Sequence, residues 1–305
     1  MATSARLGYL FSMIAAIVWA GTGPGIKYLL DVHDASGLAI ALWRDIFVTV
    51  ALGGVLILFN RQVLKIPRND LIPLIILGIF TIGIYHALWI WSVDLNGASI
   101  AVVLIYLFPT FVTIGARFFY NEAWRLPQII SLVLSFIGLV LLVRLYDLAY
   151  TQLNWLGITV GLSTAILQAG YVLYSQKAVR NVNPWATLTV TMASGSIALL
   201  VMFALAPLVV GVSKAPNILQ IGDTTAWLVL LFLAIGPTLG GYGLFNLALR
   251  HIPASVGGII LVLEAPVASA IAILFLGEIL TTTQFIGMGL ILIAIVLPTI
   301  WKGEA

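Results

Sequence analysis

The stretch PASVGGIILVLEAPVASAIAILFLGE, Pro253 to Glu278, decides how the chain is read. Between Ala254 and Leu276 Glu264 is the one ionisable residue in 23. At about 1.5 Å per residue, that length crosses a bilayer core of about 30 Å. A carboxylate in the middle of a membrane helix costs about 3 kcal/mol or more, so it is expected to face protein or a wet cavity rather than lipid. Two residues on, Pro266 has no N–H, which takes the helical donor from the Val262 carbonyl and predicts a bend beside the charge.

The rest of the chain is of the same kind. Of 305 residues 62% are hydrophobic and 8% charged, against about 25% charged in soluble domains. The apolar content comes in runs of about 20 residues rather than in alternating strands, which predicts an all-α integral membrane protein and not a barrel. With no cysteine, neither disulfides nor thiolate metal sites enter. The net charge of +3 belongs to residues between apolar runs and sets membrane orientation, so no nucleic-acid partner is expected. The N-terminus has no small-residue cleavage site after its apolar run and is expected to be a retained first span.

Ten spans are predicted, at about 7–28, 37–59, 71–93, 98–116, 127–143, 155–176, 185–210, 226–249, 254–276 and 284–301. The connections are short, and the longest, about 212–225, is expected to be a surface loop. With the N-terminus cytoplasmic, that side holds ten Lys and Arg (residues 6, 61, 65, 68, 117, 125, 177, 180, 250 and 302) against Lys27, Arg144 and Lys214 opposite. The bias predicts a multi-pass protein of a bacterial-type inner membrane with both termini cytoplasmic.

The two halves repeat. Ala98-Ser99 and Ala254-Ser255, Glu122 and Glu278, and Gln128 and Gln284 all lie 156 apart, whereas Leu7-Gly8 and Leu156-Gly157, and Ala20-Gly21 and Ala169-Gly170, lie 149 apart. Five spans are odd in number, so residues 1–150 and 151–305 are expected to be two inverted five-helix repeats within one membrane domain. That architecture serves alternating access, with substrate near the midplane.

Ten spans in two such copies, each with a proline in its fourth span (Pro109, Pro266) and a glutamate closing it (Glu122, Glu278), resemble the drug/metabolite transporter superfamily and its EamA branch. The piece EAPVASAIAILFLGE, Glu264 to Glu278, is similar to the most characteristic part of that family's repeat. The resemblance covers essentially the whole chain. The length and the aromatic third span are most similar to the family's amino-acid exporters, which implies export of aromatic and other neutral amino acids. The first copy departs from the pattern: Leu107-Phe108 stand where Glu264-Ala265 would be, and the prolines are 157 apart (266−109).

Helical spacing sorts the polar and aromatic residues within spans into faces. Tyr85, His86, Trp89 and Ser92 share a face of the third span, and an imidazole in a dry place needs two hydrogen-bond partners. Thr164, Gln168, Tyr171 and Ser175 form a polar stripe on the sixth, which either bonds between helices or lines a cavity. The eighth span carries Pro237, then Gly240-Gly241-Tyr242-Gly243 and Asn246. The first span carries Trp19, then Gly21-Thr22-Gly23-Pro24-Gly25. Such segments serve either close helix packing or opened turns whose backbone groups hold a carboxylate or ammonium. Arg44 lies near enough to the outer end of the second span to snorkel, and pairing with Asp45 is disfavoured because neighbours on a helix point about 100° apart.

The sequence therefore predicts a secondary transporter that exports small metabolites, most concretely aromatic and other neutral amino acids, acting as a monomer without cofactor or metal. The expected cavity residues are Trp19, Tyr85, His86, Trp89, Tyr106, Gln168, Tyr171, Tyr242 and Asn246, with hinges at Pro24, Pro109, Pro237 and Pro266. Glu264 or His86 could carry a proton, and Glu264 could equally be structural, as a direction marker or a private hydrogen bond within the second copy. The alternatives are an uncoupled facilitator or channel for small neutral solutes, or an exporter of drugs or other metabolites on the same fold. No HExxH, Walker A or GxSxG sequence supports an enzyme, and His33, His86 and His251 are too scattered for a metal.

Overall fold

The computed structural model describes residues 2–147, 154–210, 215–276 and 280–301; Glu278 and the expected divide at 150 and 151 lie outside them. Among the described residues every regular element is helical. Eight helical stretches are long and apolar enough to cross a membrane: Ser4–His33, Gly37–Phe59, Arg68–Val93, Ile100–Tyr120, Trp155–Asn181, Pro184–Leu208, Thr224–Ala248 and Ala254–Ile271. Leu126–Leu142 and Thr282–Pro298 are shorter apolar stretches that complete ten spans in the expected order. The second span has the expected limits, while the first continues to His33 and the sixth to Asn181.

The fifth and tenth spans pack on each other at a pair of glycines. A Cβ on Gly138 would lie 2.7 Å from the Gly287 carbonyl oxygen, and one on Gly287 would lie 2.5 Å from that of Gly138. Backbone meets backbone there, as small residues allow in membrane helix pairs.

Between the third and fourth spans the backbone stays helical through Tyr85–Ile105, where the sequence predicts a break. The chain nevertheless folds back. A Cβ on Gly161 would lie 2.7 Å from Ser92 Oγ and 2.5 Å from the Leu104 side chain, whereas twelve residues (104−92) of straight helix would hold them about 18 Å apart.

Both fourth spans are interrupted. The first copy breaks at Tyr106 and Leu107, between Tyr85–Ile105 and Phe108–Tyr120. The second breaks at Val262 and Leu263, between Ala254–Leu261 and Glu264–Leu276. The breaks lie 156 apart (262−106 and 263−107), although the prolines do not. At the second break Val262 N–H bonds the Ile259 carbonyl at 3.2 Å, and Ala265 N–H bonds the Val262 carbonyl at 3.2 Å. These tighter i to i+3 bonds give the Val262 carbonyl a donor that Pro266 cannot supply. Pro109 and Pro266 both fall in the first turn of the second half-helix, where an N–H would have no intrahelical partner. In the first span the break is at Ala20-Gly21, and Pro24 again sits in the first turn of the next helix, Thr22–His33.

The third span of each copy contains a π-turn, at Ile79–Ile84 and Ala234–Gly241. Pro237 leaves the Leu233 carbonyl without its helical donor, and the Thr238 hydroxyl donates to that oxygen at 2.9 Å. Gly21, at the first-span break, comes against Pro237.

At the face that bears the termini, side chains tie the copies together. The Ser255 hydroxyl donates to Glu122 at 2.5 Å and Gln128 donates to Ser255 at 3.5 Å, while within the second copy the Ala254 N–H donates to Gln176 at 3.2 Å. Glu122 thus holds the start of the ninth span. At the opposite face the loop before the eighth span is more than a surface connection: Ile221 is fully buried, and the Ile218 carbonyl accepts from Trp43 Nε1 at 2.7 Å.

Candidate functional site

The centre of the bundle holds four of the expected residues in mutual contact. Tyr171 of the sixth span is fully buried and donates to Asn246 Oδ1 of the eighth at 3.2 Å. The Tyr242 ring stands edge-on to both Tyr171, at 5.2 Å, and Trp19, at 4.8 Å. Edge-to-face rings at this separation are a favoured aromatic geometry. Trp19 fits because position 241 is glycine: a Cβ there would come 2.5 Å from the indole nitrogen.

This group leaves polar atoms unpartnered. Gln168, one turn from Tyr171, is buried with no hydrogen bond to Oε1, and fully buried Asn246 has none to Nδ2. One is an acceptor and the other a donor, and buried groups of this kind ordinarily find partners. Thr164, on the same stripe, is satisfied locally by the Gly161 carbonyl at 2.6 Å.

Four residues beside them are half-buried: Tyr85 and Trp89 on the third span, Tyr106 at the first break, and Glu264 at the second. Tyr106 and Glu264, one at each break, are within electrostatic reach of each other. Because the breaks pair at 156 (264−108), Phe108, and not Leu107 as the sequence suggested, stands in the place of Glu264, which has no carboxylate mate in the first copy.

Arg44 departs furthest from expectation. It does not snorkel. It is 7% exposed and points inward, with Nη2 bonding His86 Nε2 at 2.7 Å and Nε 3.9 Å from Asp45 Oδ1. His86 Nδ1 bonds Asp45 Oδ2 at 3.1 Å, and Asp45 is fully buried. Arg44 can only donate, so His86 Nε2 accepts and Nδ1 carries the proton toward the carboxylate. The imidazole is neutral and both its nitrogens are engaged. It therefore positions Arg44 and has no ring nitrogen left for a ligand. The pattern of Arg44-Asp45 in one span and an imidazole in the next was the available signal, because ionisable residues inside membranes pair with one another. Tyr85 lies within electrostatic reach of both Arg44 and Glu264, and Tyr242 within reach of Arg44, Asp45 and Tyr85. The charged cluster, the half-buried wall and the aromatic group thus border one region.

Comparison with known proteins agrees with this architecture. A crystal structure of a protein 15% identical in sequence superposes on 96% of each chain with a TM-score of 0.78, which shows the fold alone. The chain is 27% identical to an uncharacterized transporter of Archaeoglobus fulgidus over 77% of each chain. It is also 27% identical to a probable terminal-alkyne amino-acid exporter of Streptantibioticus cattleyicolor, over 90% of this chain and 87% of that one. The model of the EamA-like transporter family matches twice, at residues 6–144 and 155–300, once for each set of five spans. The chain belongs to the EamA-like transporter family, within the drug/metabolite transporter superfamily, and is a multi-pass membrane transporter of ten helices in two inverted repeats.

Proposed function

We propose that this transporter exports small neutral amino acids, aromatic ones among them, by alternating access where the two repeats meet. The observation that carries it is the pairing of an aromatic group, Trp19, Tyr171 and Tyr242, with unpartnered buried atoms, Gln168 Oε1 and Asn246 Nδ2. Rings receive an apolar side chain, and a free buried acceptor and donor bond polar atoms of the substrate. The breaks at 20–21, 106–107 and 262–263, with Pro24, Pro109 and Pro266 holding half-helices apart, and the π-turn at Pro237, are the hinges. The terminal-alkyne amino-acid exporter among its relatives supports the substrate class. The repeats divide at 150 and 151, the protein acts as a monomer, and the excess of Lys and Arg between spans supports cytoplasmic termini in a bacterial-type inner membrane.

Counterflow in proteoliposomes tests this. Protein loaded with unlabelled phenylalanine is expected to accumulate labelled phenylalanine transiently and with saturation, and Gln168→Ala or Trp89→Ala is expected to abolish it at normal membrane levels. Conductance that rises with the gradient without saturating would make the protein a channel, and unaltered counterflow in both variants would move the site elsewhere.

A further inference from the structure

We propose that the transport site is dipolar, with Arg44 as the anchor for a substrate carboxylate and the Glu264–Tyr106 pair as the seat of its ammonium. This deepens the amino-acid reading above and rests on it. Arg44 stands in one copy's second span and Glu264 in the other copy's fourth, so the two ends of a zwitterion would be held by opposite repeats.

The state of Arg44 is the first reason. Of five guanidinium N–H donors, one is used among the described residues, on His86 Nε2 at 2.7 Å. Nε is buried with no hydrogen-bond partner, and Asp45 stands 3.9 Å away, near enough to balance the charge but too far for a hydrogen bond. Asp45, the next residue on the same helix, points about 100° away and does not take the fork. Here Asp45 is bonded to His86 instead, and His86 fixes Arg44 by the opposite ring nitrogen. The cluster holds the guanidinium in place and leaves four donors unused.

The second reason is the surroundings. Tyr85 is within electrostatic reach of both Arg44 and Glu264, and Tyr85 and Glu264 are both half-buried. Tyr242, in the aromatic group, is within electrostatic reach of the same Arg44. One region thus offers unused donors at one end, a carboxyl group at the other, and rings beside them.

The test sets a substrate against analogues that lack one charge at a time. In counterflow of labelled phenylalanine, the competitors are phenylalanine, phenylalaninamide, which lacks the carboxylate, and 3-phenylpropanoate, which lacks the ammonium. Wild type is expected to prefer phenylalanine to the amide by about tenfold or more, the range of a charge-assisted hydrogen bond. Arg44→Gln combined with Asp45→Asn, which keeps the buried net charge unchanged, is expected to bring that ratio to within about twofold. Its preference over 3-phenylpropanoate is expected to persist, and Glu264→Gln is expected to give the mirror result. The ratio is internal to each preparation, so loss of folded protein does not move it. If the double variant does not fold, Arg44→Lys carries the test, since an ammonium cannot reproduce the planar fork; a drop of about threefold is expected. An unchanged acid-to-amide ratio in the variants, or no discrimination in wild type, overturns the anchor alone. Wild type that transports no neutral amino acid overturns the substrate class as well.

Discussion

Two of the helix pairs through which the repeats meet differ in kind. The fifth and tenth spans are unbroken and meet where Gly138 and Gly287 put backbone on backbone. The fourth and ninth are both broken, and near the crossing a Cβ on Gly258 would have ordinary room, 3.6 Å from the Phe108 ring and 3.7 Å from Pro109. The unbroken pair is fixed because sliding would drive a carbonyl into a neighbouring main chain. The broken pair has slack, local 3₁₀-type bonds and the polar partners Tyr106 and Glu264. A packed contact with no spare volume resists continuous deformation, so motion is expected at the second crossing about the first.

The largest effect should come from filling the fixed crossing. Gly287→Leu forces the two helices apart and is expected to cost more than about 3 kcal/mol. Little monodisperse protein should be recovered in detergent. A melting temperature close to wild type would show that the glycine contact is not what joins the repeats there.

Next in size is exchange of the one chemical difference between the two breaks. Phe108, 4% exposed, occupies the place that Glu264 fills in the other copy. Phe108→Glu puts a carboxylate there without a Tyr106 beside it in the same geometry, and a cost of about 3 kcal/mol is expected from an intramembrane charge. Glu264→Leu should fold as well as wild type and lose transport. If Phe108→Glu were as stable as wild type, the two sites would be chemically equivalent and the asymmetry would carry no function.

The sequence made the spans legible and left the faces obscure. Gly37–Phe59 could be read to the residue because a bilayer sets the length and polar clusters mark the ends. Pro266 predicted the bend beside Glu264, where the break at Val262 and Leu263 falls; the two breaks lie 156 apart and the prolines 157, because any position in the first turn of a helix serves a proline equally well. Arg44 was misplaced for a related reason. Hydropathy says how deep a residue sits but not which way it points, and its partner His86 lies 42 residues away on another helix. The aromatic group was legible in part: Trp19, Tyr171 and Tyr242 converge, but nothing in the spacing shows that Gly241 is the notch that admits the indole. The helical turn between the third and fourth spans was also unreadable, since Gly97 and Asn96 in sequence signal an end to helix.

A smaller effect should come from Tyr106→Phe. Only the hydroxyl that reaches Glu264 is lost, and stability should fall by about 1 kcal/mol. Counterflow should fall more, by about fivefold, because the carboxyl group that faces the substrate loses the contact orienting it. Equal losses in Tyr106→Phe and in Tyr120→Phe, whose hydroxyl bonds the Leu173 carbonyl at the terminal face, would mean that the Glu264 pair is only structural.

The smallest effect tests the comparison most finely. Gly258→Ala and Gly287→Ala add the same methyl group to the same kind of helix, one at each crossing. At Gly258 the methyl meets Phe108 and Pro109 at van der Waals distance, and replacing glycine in a helix removes a propensity penalty of up to about 1 kcal/mol. Stability should therefore hold or rise by about 0.5 kcal/mol, while counterflow slows by about twofold because the added contact takes up slack that the moving crossing needs. At Gly287 the methyl would lie 2.5 Å from a carbonyl oxygen, and the propensity gain is outweighed by an overpacking cost of about 2 kcal/mol. Opposite signs in thermal unfolding, with transport slowed per folded molecule at position 258 alone, would separate a hinge from an anchor. If both variants lost stability together, the fourth and ninth spans would be as tightly set as the fifth and tenth, and the hinge would have to lie at Ala20-Gly21 and the π-turn at Pro237 instead.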